Sequence, residues 1–395
     1  MTLQRIISSS LSPNTQAADV REAIHVLLNP ASWQEGSAIH EVEQWFMHHL
    51  GTSSAISFDS GRSALSAILQ AFDIGQGDEV MLQAFTCVAV PNAIGRVGAI
   101  PVYVDIDESF NIDPKNLERK ITKRAKVIIV QHSFGVPAQT DAILACAKKH
   151  RLIIIEDCAH SLGAKYKGRK IGTLGDAAFF SFGRDKVVSS VWGGMATVSE
   201  KRKVQSKKLR EYQKKLPMPS MSWIVQQLLH PIAFAAILPT YNIVVGKVLL
   251  EMLKRTHLLS LPFDDLLPRR YPNGLARLLL KQLSKLEEYN DRRRNVASYY
   301  HHVLQSRTLD KEAIYLRFPM LVDDPVRVVK HAKQQGILLG NWYHNIIDPK
   351  GVDLRAVGYQ AGSCPRAEES ASRIVNLPTL VTREEANEVV CNLTG

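Results

Sequence analysis

The sequence predicts an α/β protein with a large domain of mainly parallel sheet wrapped by helices and a smaller C-terminal α/β domain. Three observations predict this. The chain has 395 residues, more than one small core needs. Its composition, 45% hydrophobic and 22% charged, is that of a folded globular protein. Short apolar runs alternate with helical stretches from Ser54 to Val198, and V-I-I-V (127–130) and L-I-I-I-E (152–156) read as strands buried on both faces, as parallel sheets require.

Taken in order, Asp19 to Leu50 has helical spacing, with Ala23, Val26 and Leu27, then Ile39, Val42, Phe46 and Leu50 at three- and four-residue steps. Strands follow at Ala55–Phe58, Glu79–Leu82, Ile100–Val104, Val127–Gln131 and Leu152–Glu156, and two more at Ala177–Phe182 and Met195–Val198. Lys201 to Lys215 is a basic helical stretch. Trp223 to Leu253 is unusually apolar and is interrupted by Pro231 and Pro239. A long helix is expected from Leu275 to Leu304, with Leu279, Leu283 and Leu286 on one face. The remainder alternates short strands and helices. The expected division is a large domain at 1–265, with an apolar insert at about 216–260, and a small domain at 266–395.

The formal net charge is +11, which favours anionic partners. No nucleic-acid module accompanies it, so nucleic acid is not expected as a partner. The five cysteines contain no C-x-x-C pair, which argues against a disulfide framework or a zinc site, and no metal is expected. A reducing cytoplasm is the natural compartment. The first residues, M-T-L-Q-R-I-I-S-S-S, lack the apolar core of a signal peptide.

Three segments carry chemistry. D-S-G-R-S-A-L (59–65) follows a strand and opens a helix. Gly61 permits a tight turn, and the amides of Arg62 and Ser63 would stand at a helix N-terminus, where anions bind. An ordinary turn capped by Ser60 has the same sequence. In I-I-I-E-D-C-A-H-S-L-G-A (153–164), Asp157 stands at the end of a buried parallel strand, where α/β folds bind ligands, and its carboxylate can pair with a protonated pyridine nitrogen. A helix cap is the alternative role for Asp157, and a structural histidine for His160. In G-D-A-A-F-F-S-F-G-R-D-K (175–186), Ser181 can donate to a phosphate and Lys186 can form an imine once burial lowers its pKa; a surface lysine is the alternative. A glycine pair, Gly193-Gly194, follows where backbone can approach a ligand.

The linear order of these segments resembles the pyridoxal-phosphate sites of the aspartate-aminotransferase fold, fold type I. The chain is similar to the DegT/StrS-type sugar aminotransferases from about residue 20 to the C-terminus. H-E-V-E-Q-W-F (40–46), G-D-E-V-M-L-Q-A-F-T-C-V-A-V-P-N-A-I (77–94), G-A-I-P-V-Y-V-D-I-D (98–107), H-S-F-G-V-P-A (132–138), S-F-G-R-D-K (181–186) and G-S-C-P-R-A-E-E-S-A-S-R-I-V-N-L-P (362–378) carry the likeness. It implies pyridoxal 5′-phosphate as cofactor, Lys186 as the catalytic Schiff-base lysine and Asp157 as partner of the pyridine nitrogen. It places His160 against the cofactor ring, and Ser181 with the Gly61–Arg62–Ser63 turn on the phosphate. Lysine at 186 separates the chain from the family's dehydratase branch, which carries histidine there. The likeness further implies a nucleotide-linked keto sugar as substrate, glutamate as amino donor, a homodimer, and a place in polysaccharide or glycoconjugate biosynthesis. Two alternatives stay open: the same fold acting on a lipid-linked or non-sugar ketone, and a non-catalytic binding or scaffold relative.

Three departures stand out. Ser60-Gly61-Arg62 replaces the family's Asn-Gly-Thr. Cys87, a cofactor-site position, replaces an aromatic. Pro268 stands where an asparagine belongs in the Asn-x-Arg segment that reaches the partner subunit, with Arg270 as its arginine. Trp223–Leu253 has no family counterpart. Such a segment suits an interfacial hairpin whose preceding basic run, together spanning 201–253, meets an anionic membrane surface. A pair of helices buried in a subunit or domain interface is the other reading.

Overall fold

A computed structural model describes residues 6–241, 245–256, 267–306 and 309–393. Seven strands form the central sheet, in the order Ala55–Phe58, Gly194–Val198, Ala177–Ser181, Ile153–Asp157, Ala125–Gln131, Glu79–Gln83 and Ile100–Val104. Gly194–Val198 runs antiparallel to both neighbours; the other pairings are parallel. Each expected strand is present, with ends shifted by a residue or two. One shift matters: the strand expected to end at Glu156 ends at Asp157, so both acidic residues belong to it as its last two members.

The helical stretch Asp19–Leu50 is two helices, Ala17–Leu27 and Ser37–Leu50, separated by a turn at Pro30–Ser32 and by Gly36. Pro30 cannot donate into a helix interior, and that accounts for the break. The second helix buries Ala38, Val42, Phe46 and Leu50, one apolar stripe at four-residue steps. The long helix expected from Leu275 is also two, Asn273–Leu283 and Leu286–Val303.

The apolar segment forms the helices Met221–Thr240 and Val245–Arg255, packed on each other. The first continues through Pro231 and Pro239 instead of breaking there. Its inner face packs on Ala17–Leu27 and Asn273–Leu283, which supports the turns that lose a hydrogen bond. Met221–Thr240 is, among the described residues, the one helix long and apolar enough to cross a membrane. Seven of its residues, from Ile224 to Ile237, are buried within the protein, so protein and not lipid covers that face.

Toward the C-terminus, Arg317–Leu321 pairs antiparallel with Ile374–Pro378. Helices Pro325–Gln334 and Arg383–Cys391 accompany this ribbon. The short strand Ile347–Asp348 pairs with Thr86–Cys87 in a two-stranded sheet of its own, which brings the C-terminal loop beside the end of the strand Glu79–Gln83. The expected boundary at 265 lies outside the described residues.

Candidate active site

The C-terminal ends of the parallel strands open into a cavity of about 450 Å³. Lys186, Asp157, His160, Ser181, Gly61, Arg62 and Cys87 all line it. Sequence positions as far apart as 61 and 186 meet because the strands that precede them lie side by side, with only Gly194–Val198 between.

Asp157 is 5% exposed, and its Oδ1 accepts the Ala159 N–H at 3.0 Å. Burial pushes its carboxyl above the usual range, while the charges of Lys186 and His132 pull the other way. Glu156, one residue earlier, points to the opposite face of the strand. There it accepts the backbone N–H groups of Gly172, Leu174 and Gly175 at 2.7–2.9 Å. The alternation therefore leaves Asp157, not Glu156, to face the cavity.

Lys186 Nζ lies 3.1 Å from His160 Nε2. His160 is buried, and its Nδ1 accepts the Phe134 N–H at 3.3 Å, which leaves the ring proton on Nε2. Burial, followed by the charges of Lys186 and Arg317, holds His160 well below the ordinary histidine range, so the ring is neutral. Its Nε2–H can donate to the Lys186 nitrogen only when that amine is unprotonated.

The turn expected to hold a phosphate is tightly built. Ser60 caps the helix Gly61–Ala71 by accepting the Ser63 N–H at 3.2 Å. The Ser63 hydroxyl donates to Asp59 Oδ1 at 2.6 Å. Ser63 lies behind the wall, 1% exposed, with its amide engaged by the cap. Gly61 and Arg62 form the cavity surface itself, and a helix leaves such first-turn amides without intrahelical partners. A Cβ on Gly61 would lie 3.0 Å from Ser181 Cβ, and one on Gly194 would lie 2.6 Å from the Gly61 nitrogen. Both glycines exist for close approach: the turn rests directly on Ser181 and on the strand beginning at Gly194.

Several lining residues escaped sequence reasoning. Trp342 stacks on His160, centroids 4.9 Å apart at 10°, and the Lys186 Nζ lies 4.4 Å from its ring centre. Arg317 sits 3.4 Å over the same ring and pairs with Asp185 at 2.9 Å. A desolvated cation–π contact of this kind contributes about 2 kcal/mol. The pair W-Y at 342–343 was the available signal, an aromatic pair flanked by Asn341, His344 and Asn345. From the insert come His230, Phe234 and Leu250, and from the N-terminal segment Leu11 and Ser12. Arg270 is taken up within its own chain, with Nη1 3.7 Å from Glu35 Oε1 and its N–H donating to the Pro217 carbonyl.

Comparison with known proteins places this geometry. The model of the DegT/DnrJ/EryC1/StrS aminotransferase family matches residues 14–216 and 270–394. The chain belongs to that family. It is 42% identical to the GDP-perosamine synthase of Caulobacter vibrioides over 166 residues, a match covering 42% of this chain and 45% of that protein. To the dTDP-3-amino-3,6-dideoxy-alpha-D-galactopyranose transaminase of Aneurinibacillus thermoaerophilus it is 29% identical over 384 residues, covering 94% of this chain and 93% of the relative. The fold matches that of NtdA from Bacillus subtilis, solved with bound pyridoxamine phosphate, with a TM-score of 0.75 at 20% identity, covering 97% of this chain and 83% of that one. This family member is an aminotransferase. The family model leaves residues 217–269 unmatched, and these include both insert helices.

Proposed function

We propose that this chain transfers an amino group from glutamate to a nucleotide-linked keto sugar in polysaccharide or glycoconjugate biosynthesis. One observation carries the reading: a lysine amine, a buried carboxylate and a helix N-terminus face one cavity large enough for a cofactor and a sugar. The named activities of the two relatives support the substrate class.

The donor set fits the cofactor. Gly61 and Arg62 amides, the Arg62 side chain and the Ser181 hydroxyl would hold a phosphate, and the two close-packed glycines are what bring backbone to it. Asp157 would hold the proton on the pyridine nitrogen. His160 would offer a flat face to the ring, backed by Trp342, which stacks on it and is covered by Arg317. When bound, pyridoxal phosphate supplies an electron sink for a carbanion. Lys186 would hold the cofactor by its amine between turnovers and, released as the free amine, would pass a proton between the substrate carbon and the cofactor. His160, kept neutral, orients Nζ from Nε2 without adding a second charge.

The homodimer and the two-domain division at about residue 265 belong to the same proposal. So does a cytoplasmic location with contact to an anionic membrane surface. The last is supported by the basic helix Lys203–Lys215 and by Val245, Val248 and Met252, exposed together on the outer insert helix. Binding to anionic liposomes that weakens with added salt is the expected result; a protein that ignores them removes the membrane part. The test of the main reading is a panel of nucleotide-linked keto sugars with glutamate, read as 2-oxoglutarate release. Turnover of at least one member is expected, and activity confined to non-sugar ketones would reject it.

A further inference from the structure

We propose that the insert helices build a second subsite in the same cavity, which takes an acylamino group carried by the sugar. This rests on the nucleotide-sugar reading above. The family model passes over residues 217–269, yet His230, Phe234 and Leu250 from that stretch line the cavity that holds Lys186.

The wall is apolar with one polar atom. Phe234 and Leu250 pack with Leu11 in a small cluster of their own. His230 is 2% exposed and lies against Phe234, ring centroids 4.3 Å apart. Its Nε2 is paired with the Ser12 hydroxyl at 2.9 Å. Its Nδ1 is buried and has no hydrogen-bond partner. A buried nitrogen left in that state is costly unless a ligand completes it.

The chemistry of the missing partner follows by elimination. A phosphate or carboxylate would choose the guanidinium of Arg62 or Arg184, both on the same cavity, over an uncharged imidazole. Burial, with the charge of Arg184 adding to it, keeps His230 far below the ordinary histidine range and hence neutral. A bare methyl would satisfy the apolar wall and leave Nδ1 orphaned. A hydroxyl would satisfy Nδ1 and waste the wall. An acylamino group meets both, its amide bonded to Nδ1 and its acyl carbon against Phe234 and Leu250.

The two imidazole nitrogens can be separated by substitution. In His230→Gln the amide reaches toward Nε2 and Ser12; in His230→Asn it stands near Nδ1. The probes are matched pairs of nucleotide sugars differing by one acetamido group, UDP-N-acetylglucosamine with UDP-glucose and UDP-N-acetylgalactosamine with UDP-galactose. They are titrated calorimetrically into the full-length, cofactor-loaded enzyme, with the cofactor absorbance recorded as a check on the site. The acetamido member of a pair should bind more tightly by roughly fivefold, the worth of one hydrogen bond. His230→Gln should erase that ratio while His230→Asn and Leu250→Ser each keep part of it, and all three should retain the cofactor spectrum. Equal binding of both members to the unsubstituted enzyme, or a ratio that His230→Gln and Leu250→Ser leave intact, overturns the subsite. Failure of every nucleotide sugar to bind, with the cofactor spectrum normal, instead overturns the nucleotide-sugar reading and takes the subsite with it.

Discussion

Placing a methyl group on Gly194 tests the phosphate turn at its foundation. A Cβ there would stand 2.6 Å from the Gly61 nitrogen, with the Ser60 carbonyl nearer still, whereas ordinary contact begins at 3.4 Å. The strand Gly194–Val198 is held on both sides by sheet pairing, so the turn is the part that moves, by about 0.8 Å or more. Overpacking of this kind costs about 1–3 kcal/mol in stability. The cofactor feels it separately. Each charge-assisted hydrogen bond from turn to phosphate is worth about 1.5–3 kcal/mol, so losing one weakens binding by about 10- to 100-fold. Gly194→Ala should therefore fold, melt a few degrees lower, and bind pyridoxal phosphate with a dissociation constant raised by that factor in a fluorescence titration. Gly95→Ala is the control, because a Cβ at Gly95 meets nothing within 4 Å. Equal affinity in Gly194→Ala and the unsubstituted enzyme, or equal loss in Gly95→Ala, would refute the reasoning.

Two further outcomes follow from the site's carboxylates. Asp157→Asn should keep the cofactor but lower turnover on the order of 10²-fold, since the charge facing the pyridine nitrogen is gone; unchanged turnover would reduce Asp157 to its bond with the Ala159 N–H. Asp59, behind the phosphate turn, is pushed up from 3.8 to about 6 by burial, against the pull of the Ser63 hydroxyl and of Arg269 and Arg62. The folded apoenzyme then keeps a proton between about pH 4 and 6 that the unfolded chain releases. Its contribution is full below pH 3.8 and is lost as pH rises through 6, by an amount on the order of 3 kcal/mol. Denaturant melts of the unsubstituted protein and of Asp59→Asn should diverge across that window, and parallel curves would contradict the assignment.

The sheet was legible in the sequence because its strands are buried on both faces, and V-I-I-V or L-I-I-I-E has no other economical use. Helix breaks were less legible: the apolar stripe from Ala23 to Leu50 continues in composition across Pro30 and Gly36, where the backbone does not. Among site residues, those on strand ends and their following turns declared themselves, since Asp157 in one motif and Ser181 and Lys186 in the next sit within 30 residues. Ser63 illustrates the limit of that reasoning: its amide was assigned to the phosphate, and the Ser60 side chain takes it. A Ser at the cap position three residues earlier was the signal. Trp342 and His230 enter the cavity from segments remote in sequence, and Arg317 backs Trp342 from another; a single arginine or histidine has no local pattern to distinguish it. The insert's apolarity was plain, but sequence could not say that its inner face would close the catalytic cavity. That depends on packing against Ala17–Leu27 and Asn273–Leu283.

The measurement closest to the central claim is chemical trapping of the cofactor. Borohydride added to the full-length enzyme with pyridoxal phosphate should fix the cofactor on one peptide, which mass spectrometry should place at Lys186. Lys186→Ala should yield no such adduct while remaining folded and losing transamination. An adduct at any other lysine of the unsubstituted enzyme, with none at Lys186, would contradict the account.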